Sequence, residues 1–270
     1  RTFLVLKKNG KKREVSEPLP SLKDIQIWIL QNILNNVKVS PFAKAYVPGI
    51  SLKQNLVFHK AQVKVFTLDL EDFFKSIKRP AVENIFLSLG YSGIISNLLA
   101  KLCTKDECLP QGAPTSPYIS NIFFKSGDLK ISDYCKSHKI NYTRYADDLT
   151  FSGDFDEKKL FTFLQGIIKG LDLKVNPEKT KLMIPGQQQK VTGIVVNEKL
   201  QVPFKKRNDL RKEMYYIKKF GIDEHKNRMN ISQSNYVEHI LGQINFVLYM
   251  NSNDEEFKEY KTYLNNLKAK

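Results

Sequence analysis

The sequence predicts an α+β body followed by a basic region built from helices alone. Three observations support this. Runs such as QVKVFTLDL (62–70) alternate apolar and polar residues as strands do. Stretches between such runs repeat apolar residues at helical spacing. Beyond residue 203 the helical spacing stands alone.

Taken in order, residues 1–15 read as a hairpin: apolar FLVL, the turn Lys8-Asn9-Gly10-Lys11, then REV, with Asn-Gly as the turn signal. From Leu22, apolar residues at Ile25, Trp28, Ile29, Ile33 and Val37 predict a helix that buries this face. A strand at 62–70 precedes two short helices, about 80–90 and 92–103, the first ended by Gly90. Residues 115–139 form a long helix capped by Ser116, with Pro117 as its first helical residue. A strand–turn–strand covers 140–153, and a helix at 156–169 ends at Gly170. Strands follow near 171–175, 179–185 and 190–196. Three helices close the chain, marked by Leu210, Met214 and Ile217, by Val237, Ile240, Leu241, Ile244 and Val247, and by Phe257, Tyr260, Leu264 and Leu267.

The 270 residues suffice for one large or two modest domains. No apolar stretch approaches the roughly 18 residues that span a bilayer. Residues 1–10 read as strand and turn rather than a leader, and the start at Arg1 leaves room for an upstream segment. Cys103, Cys108 and Cys135 form no CxxC pair, which argues against zinc and a disulfide scaffold and suits the cytoplasm. His59, His138, His225 and His239 show no metal-ligand spacing. The net charge of +15 points to a polyanionic partner, by default nucleic acid. The 12 Tyr and 17 Phe can stack on bases as well as build a core.

INYTRYADDLTFSG (140–153) sets Asp147 beside Asp148 at a strand turn, where like charges repel and carboxylates are rare. Asp69 closes the strand VKVFTLDL. If these strands are neighbours in one sheet, the three carboxylates converge and raise one another's pKa unless a cation neutralises them. Two Mg²⁺ ions about 3.5–4 Å apart would do so, while activating a 3′ hydroxyl and stabilising leaving pyrophosphate. In LPQGAPTSP (109–117), Gln111 and Gly112 precede a helix N-terminus, a place for phosphate or a template backbone.

YADD at 145–148 resembles the catalytic turn of reverse transcriptases, and Asp69 in FTLDLEDFF matches the first catalytic aspartate of that family. The resemblance runs in order over roughly residues 3–220. It implies a right-hand polymerase architecture: fingers at 1–60 and 79–110, a palm with an antiparallel sheet at 61–78 and 111–200, and a helical thumb at 201–270. It further implies two Mg²⁺ held by Asp69, Asp147, Asp148 and the carbonyl of Leu70. Phe74 would pack against the sugar and exclude a 2′-OH, selecting dNTPs. Lys7 (or its neighbour Lys8) and Arg13 would clamp the triphosphate, and Gln111 and Gly112 would lie under the nucleotide. Lys179, in GLDLKVNPEKTKLM (170–183), would donate a proton to pyrophosphate.

Two details resemble bacterial retron enzymes. One is the triplet Val191-Thr192-Gly193. The other is Asn55-Leu56-Val57-Phe58-His59, similar to their Asn-Ala-x-x-His signature but with Leu56 where Ala is usual. The resemblance makes these residues RNA contacts, and Lys205, Lys206, Arg207, Arg211 and Lys212 backbone contacts of a thumb. It implies RNA-directed DNA synthesis on a structured non-coding RNA that is both template and primer. The product would be branched RNA–DNA, and an effector protein would act with it in anti-phage defence. Alternatives are a different bacterial defence enzyme of abortive-infection type, some of which extend DNA without a template, or an inactive RNA-binding scaffold.

Overall fold

The structure is a computed structural model that describes residues 1–6, 10 and 12–268. It divides into two compact units, Arg1–Pro185 and Gly186–Lys270.

The first unit is built on a four-stranded antiparallel sheet in the order β4-β5-β3-β6. Its strands are β3 (Lys64–Leu70), β4 (Asn141–Tyr145), β5 (Asp148–Gly153) and β6 (Val175–Met183). The first three were legible as alternating runs. β6 differs from the two strands read at 171–175 and 179–185, because one strand pairs with β3 through an irregularity. Thr67 faces Lys181 while Asp69 faces Asn176, so the stretch around Pro177 loops out of the ladder. Pro177 donates no ladder hydrogen bond and is tolerated at such a bulge.

Helices α4 (Arg79–Ser88), α5 (Gly93–Cys103), α6 (Ser116–Ser137) and α7 (Glu157–Gly170) join the sheet around one apolar core. Phe66, Leu68, Leu149 and Phe151 fill it from the strands, and Phe124, Ile131 and Leu164 from the helices. Thr115, not Ser116, holds the N-cap position of α6, and neither side chain caps it; the Ser116 hydroxyl is buried without a partner. Helix α1 (Pro20–Asn32) also turns a different face inward. Ile29 is buried, but Ile25 and Trp28 are exposed, and Gln26 takes the inner position by donating from Nε2 to the Leu102 carbonyl at 2.7 Å.

A charged pair lies inside this unit. Arg144 on β4 and Asp128 on α6 are both fully buried. Arg144 donates from Nε and Nη2 to the two Asp128 oxygens at 2.8 Å each. Tyr142 donates to Oδ1 of Asp128 at 2.7 Å, and the guanidinium lies over the Phe124 ring at 4.7 Å. The remaining Arg144 nitrogen, Nη1, donates to Oδ1 of Asn121 and to the Ala146 carbonyl, at 3.1 and 3.0 Å. Every partner is supplied, as a desolvated ion pair requires.

The strands β1 (Thr2–Leu6) and β2 (Lys12–Ser16) form a hairpin that docks on this unit through Ser16, whose N–H donates to the Gln111 carbonyl at 2.7 Å. Most of its turn, with Lys7 and Lys8, lies outside the described residues.

The second unit opens with a short hairpin of β7 (Lys190–Val191) and β8 (Ile194–Val195), where sequence suggested one strand. Thr192 and Gly193 turn it with φ of 44° and 82°, two positive values that suit a two-residue hairpin. Helices α8 (Phe204–Phe220), α9 (Ile222–Arg228), α10 (Tyr236–Met250) and α11 (Glu255–Lys268) follow. They bury the apolar residues expected of α8, those expected of α10 except Val237, which is only partly buried, and Phe257 and Leu264 of α11. No described helix is long and apolar enough to cross a membrane.

Asp128→Ala strands the buried Arg144 charge. The expected loss is about 3–5 kcal/mol, read by urea unfolding, whereas an exposed pair such as Lys136–Asp133 should cost about 0–1 kcal/mol.

Candidate active site

The two central strands bring Asp69 and Asp148 directly opposite each other in register. Facing residues of an antiparallel pair have Cα atoms about 4.5–5.5 Å apart, so the carboxylates are forced together. Asp147 is in the two-residue turn between Tyr145 and Asp148, after Ala146 at φ 60°. Arg144 grips the Ala146 carbonyl, and the Leu70 N–H donates to the Asp147 carbonyl at 3.0 Å. The turn is thus fastened from both sides.

Crowding shows in the electrostatics. Burial, then the neighbouring Asp147 and Asp69 charges, push the Asp148 carboxyl up to about 7. Burial and Asp69 raise that of Asp147. Asp69, only 5% exposed, accepts from Lys179 Nζ at 2.9 and 2.8 Å and from Asn176 Nδ2 at 3.3 Å. Both donors come from the irregular stretch of β6, and the bulge carries the lysine to the carboxylate. Burial disfavours the Lys179 charge, but the hydrogen bond and charge of Asp69 outweigh it and raise the pKa.

Beside the acids opens a cleft of about 790 Å³. Of the residues singled out in sequence, Asp69, Leu70, Asp147 and Lys179 line one part of it. Arg13, Phe74, Gln111 and Gly112 line the rest. Asp148 is not among the lining residues; it faces Asp69 across the β3–β5 pair. Gly112 is required by packing: at φ 112°, a Cβ there would come within 2.8 Å of the Ser16 carbonyl oxygen. Its lack of a side chain lets β2, which carries Arg13, approach the cleft. Sequence reasoning missed Tyr46 and Asn176, which also line it. Tyr46 belongs to no quoted motif; Asn176 lay unremarked within the 170–183 segment.

Other residues singled out for RNA contact are placed elsewhere. Asn55 and His59 are fully buried behind the turn-bearing hairpin. Thr143 donates to Oδ1 of Asn55 at 2.7 Å, and its hydroxyl oxygen and that of Ser152 lie 2.8 Å from the two His59 ring nitrogens. Burial drives the imidazole pKa down to about 3, so the ring is neutral. These two side chains therefore brace β4 and β5 and are out of reach of a polyanion. Val191 is buried too, and Thr192 and Gly193 form the hairpin turn. Arg207 is paired with Asp254, and Arg211 donates to both oxygens of Glu256 at 2.7–3.0 Å. The two guanidinium groups lie over Phe257, tying α8 to α11 instead of reaching outward. Lys205, Lys206 and Lys212 remain exposed.

Among the described residues no group of three or more His, Cys, Asp or Glu side chains forms a ready-made metal cage. The donor set nevertheless fits a hard divalent ion, which prefers carboxylates supplemented by water and substrate phosphates to a closed protein cage. The Lys179 ammonium on Asp69 shows that the cluster attracts a cation. Asp69, Asp147 and Asp148 could hold such an ion.

A paired-acid turn in an antiparallel sheet, beside a cleft that Arg13 also lines, is an arrangement suited to chemistry on phosphate groups. Residues 5–204 match the model of the family described as reverse transcriptase (RNA-dependent DNA polymerase), and the chain belongs to that family of RNA-directed DNA polymerases. Within it, the chain is of the bacterial retron type. It is 34% identical over a 275-residue alignment to the Retron Ec86 reverse transcriptase of Escherichia coli, covering 100% of this chain and 82% of that one. It is 34% identical over 230 residues to the Retron Mx65 reverse transcriptase of Myxococcus xanthus, covering 78% and 54%. By fold it is similar to telomerase from Candida albicans, solved with a fragment of telomeric RNA. That match has a TM-score of 0.54 and 10% identity over 98% of this chain and 54% of that one. Apo telomerase from Candida tropicalis gives 0.50 and 9%, covering 74% and 47%. The chain thus spans about half of the Myxococcus relative and of the telomerase chains. The fold class is that of the right-hand polymerases.

Because Asp148 titrates near 7 here and near 3.8 when unfolded, it binds more protons in the folded state. Its ionisation costs stability as pH rises from about 4 to about 7, and the cost is constant above that. Asp148→Asn should therefore be the more stable protein in EDTA, by a margin that widens over this window and then levels off. Thermal melts across pH measure it; a margin independent of pH would contradict the carboxylate crowding.

Proposed function

We propose that the cleft catalyses two-metal nucleotidyl transfer, joining dNTPs to a 3′ end on an RNA template. The observation that carries this is the register of Asp69 against Asp148, with Asp147 at the adjoining turn on the cleft. Asp69, Asp147, Asp148 and the Leu70 carbonyl would hold two Mg²⁺. When bound, these supply activation of the attacking hydroxyl and charge neutralisation on the leaving pyrophosphate.

The chain's own residues do the rest. Arg13, carried into the cleft by the docked hairpin, grips phosphate oxygens with its forked guanidinium, and Lys7 would assist. The Gln111–Gly112 backbone supports the nucleotide, and Phe74 packs against the sugar where a 2′-OH would sit. Lys179, released from Asp69 once that carboxylate has other cationic partners, donates its proton to pyrophosphate.

In this reading the fingers take 1–60 and 79–110 and the palm 61–78 and 111–200, a division that runs past the end of the first unit at Pro185. The helices from 201 are the thumb. Exposed Lys205, Lys206 and Lys212 would contact the duplex backbone, positioning it without reading sequence. The template and primer would be a structured non-coding RNA, the product branched RNA–DNA, and an effector protein would use it in anti-phage defence. What supports these finer points is the retron-type membership and the +15 charge.

Incorporation of dNTP on a primed RNA template with Mg²⁺ tests the central claim. Asp147→Asn with Asp148→Asn should abolish it while leaving RNA affinity nearly unchanged; equal activity in the double variant would end the metal reading. Phe74→Ala should raise rNTP use relative to dNTP, and an unchanged ratio would make Phe74 a packing residue only. Nuclease mapping of co-purified nucleic acid tests the retron product: a species sensitive to both RNase and DNase is expected.

A further inference from the structure

Tyr46 is the cleft residue that no motif anticipated. It is half exposed, at 49%, although aromatic, and its exposed surface lines the cleft with Asp147 and Phe74. The rings of Tyr46 and Phe74 are neighbours, with centroids 6.5 Å apart and planes tilted by 51°.

The backbone at Tyr46 is also unusual. Its φ is 61°, a left-handed conformation that costs a bulky L-residue energy and persists only where the surroundings impose it. Here they do. The Ala45 carbonyl accepts from Asn121 Nδ2 at 2.8 Å. One residue further back, the Lys44 N–H donates to the Arg144 carbonyl at 2.8 Å, and the Arg144 N–H donates to the Phe42 carbonyl at 2.8 Å. The segment leading into Tyr46 is thus bolted to α6 and β4, the elements that hold the Asp147 turn, and Asn121 also accepts from the Arg144 side chain. Ala43 and Ala45, both just before it, are buried, which anchors the chain entering the strained residue. No packing reason demands a large ring at 46, since much of it faces open space. Strain imposed by a rigid frame to present an aromatic ring to a cleft points to a ligand-facing role.

We propose that Tyr46 is a specificity-determining residue that forms, with Phe74, a two-ring gate on the nucleotide sugar, so that a 2′-OH meets two aromatic walls instead of one. This rests on the polymerase reading of the cleft given above. Phe74 packs against Phe73, whose ring centroid lies 5.8 Å away. Tyr46, set in a rigid frame opposite, would stop the sugar from sliding past Phe74 to make room for the hydroxyl.

Single-nucleotide incorporation on a primed RNA template, with matched dNTP and rNTP, tests this. Tyr46→Ala should lower the ratio of kcat/KM for dNTP over rNTP by tenfold or more, chiefly through a lower KM for rNTP, and Tyr46→Phe should keep the wild-type ratio. Because the rings are neighbours, the effects of Tyr46→Ala and Phe74→Ala should combine to less than their product. Tyr46→Gly guards against misfolding. Glycine relieves the positive φ, so its Tm should equal or exceed the wild-type value while selection relaxes as in the alanine variant. If Tyr46→Ala slows dNTP and rNTP equally while Phe74→Ala still relaxes selection, the Tyr46 inference alone falls. If Tyr46→Gly melts well below wild type with selection intact, the ring is structural and the inference is again overturned. Wild-type protein that incorporates no nucleotide would overturn the polymerase reading beneath it.

Discussion

Two like charges face each other across the middle of the sheet, and the rest of the first unit is arranged to keep them there. Asp69 and Asp148 are locked by the β3–β5 ladder, so neither can move away without breaking strand pairing. Repulsion and burial appear as a carboxyl pushed up to about 7 at Asp148, and as a lysine drawn out of β6 to neutralise Asp69. A sheet selected for stability alone would put apolar residues at these positions. The arrangement stores an unmet demand for positive charge at the edge of an open cleft, which is what a metal-dependent transfer reaction needs.

Holding a strained, charged turn still requires a rigid frame, and two buried polar networks supply it. From the α6 side, Asp128 fixes Arg144 and Tyr142, and Arg144 reaches the Ala146 carbonyl one residue before Asp147. From the α2 (Leu52–Leu56) side, neutral His59 and Asn55 hold Thr143 and Ser152. Buried hydrogen-bonded networks of this kind contribute less to net stability than to a single defined geometry, even where one atom, Asn55 Nδ2, is left without a partner. The same frame extends to residues 42–45 and explains how Tyr46 can be held at a positive φ. Asn55 and His59 thus matter to the site without touching its contents.

In the second unit the basic residues divide by chemistry. Arginines 207 and 211 lie inward over the Phe257 ring; the Arg211 fork meets both oxygens of Glu256, while Arg207 reaches Asp254 through Nη2 and leaves Nε buried without a partner. Lysines 205, 206 and 212 stay in water, as a compact and strongly hydrated ammonium prefers. Net charge counts both kinds alike, but only the exposed kind adds to the field that a polyanion meets directly.

Much of the site was legible in the linear order. Asp69, Asp147, Asp148, Phe74, Gln111 and Gly112 stand in motifs whose chemistry and strand context are local, because strand alternation and turn chemistry are set by neighbours along the chain. The long helix at 116–137 and the helices after 203 were legible for the same reason. What local pattern could not supply was partner choice. Whether Arg211 meets a phosphate or Glu256, whether His59 faces RNA or Thr143, and whether Gln26 or Ile25 turns inward depend on side chains far apart in sequence. The bulge that delivers Lys179 to Asp69, and the frame that turns Tyr46 into the cleft, arise only when distant strands and helices pack. Sequence by itself determined which residues are candidates for the chemistry, since that follows from residue type and local conformation. Tertiary structure alone decided which of them face the cleft and which are used up holding it open, since hydrogen bonds and burial are settled by contacts that the order of residues does not encode locally.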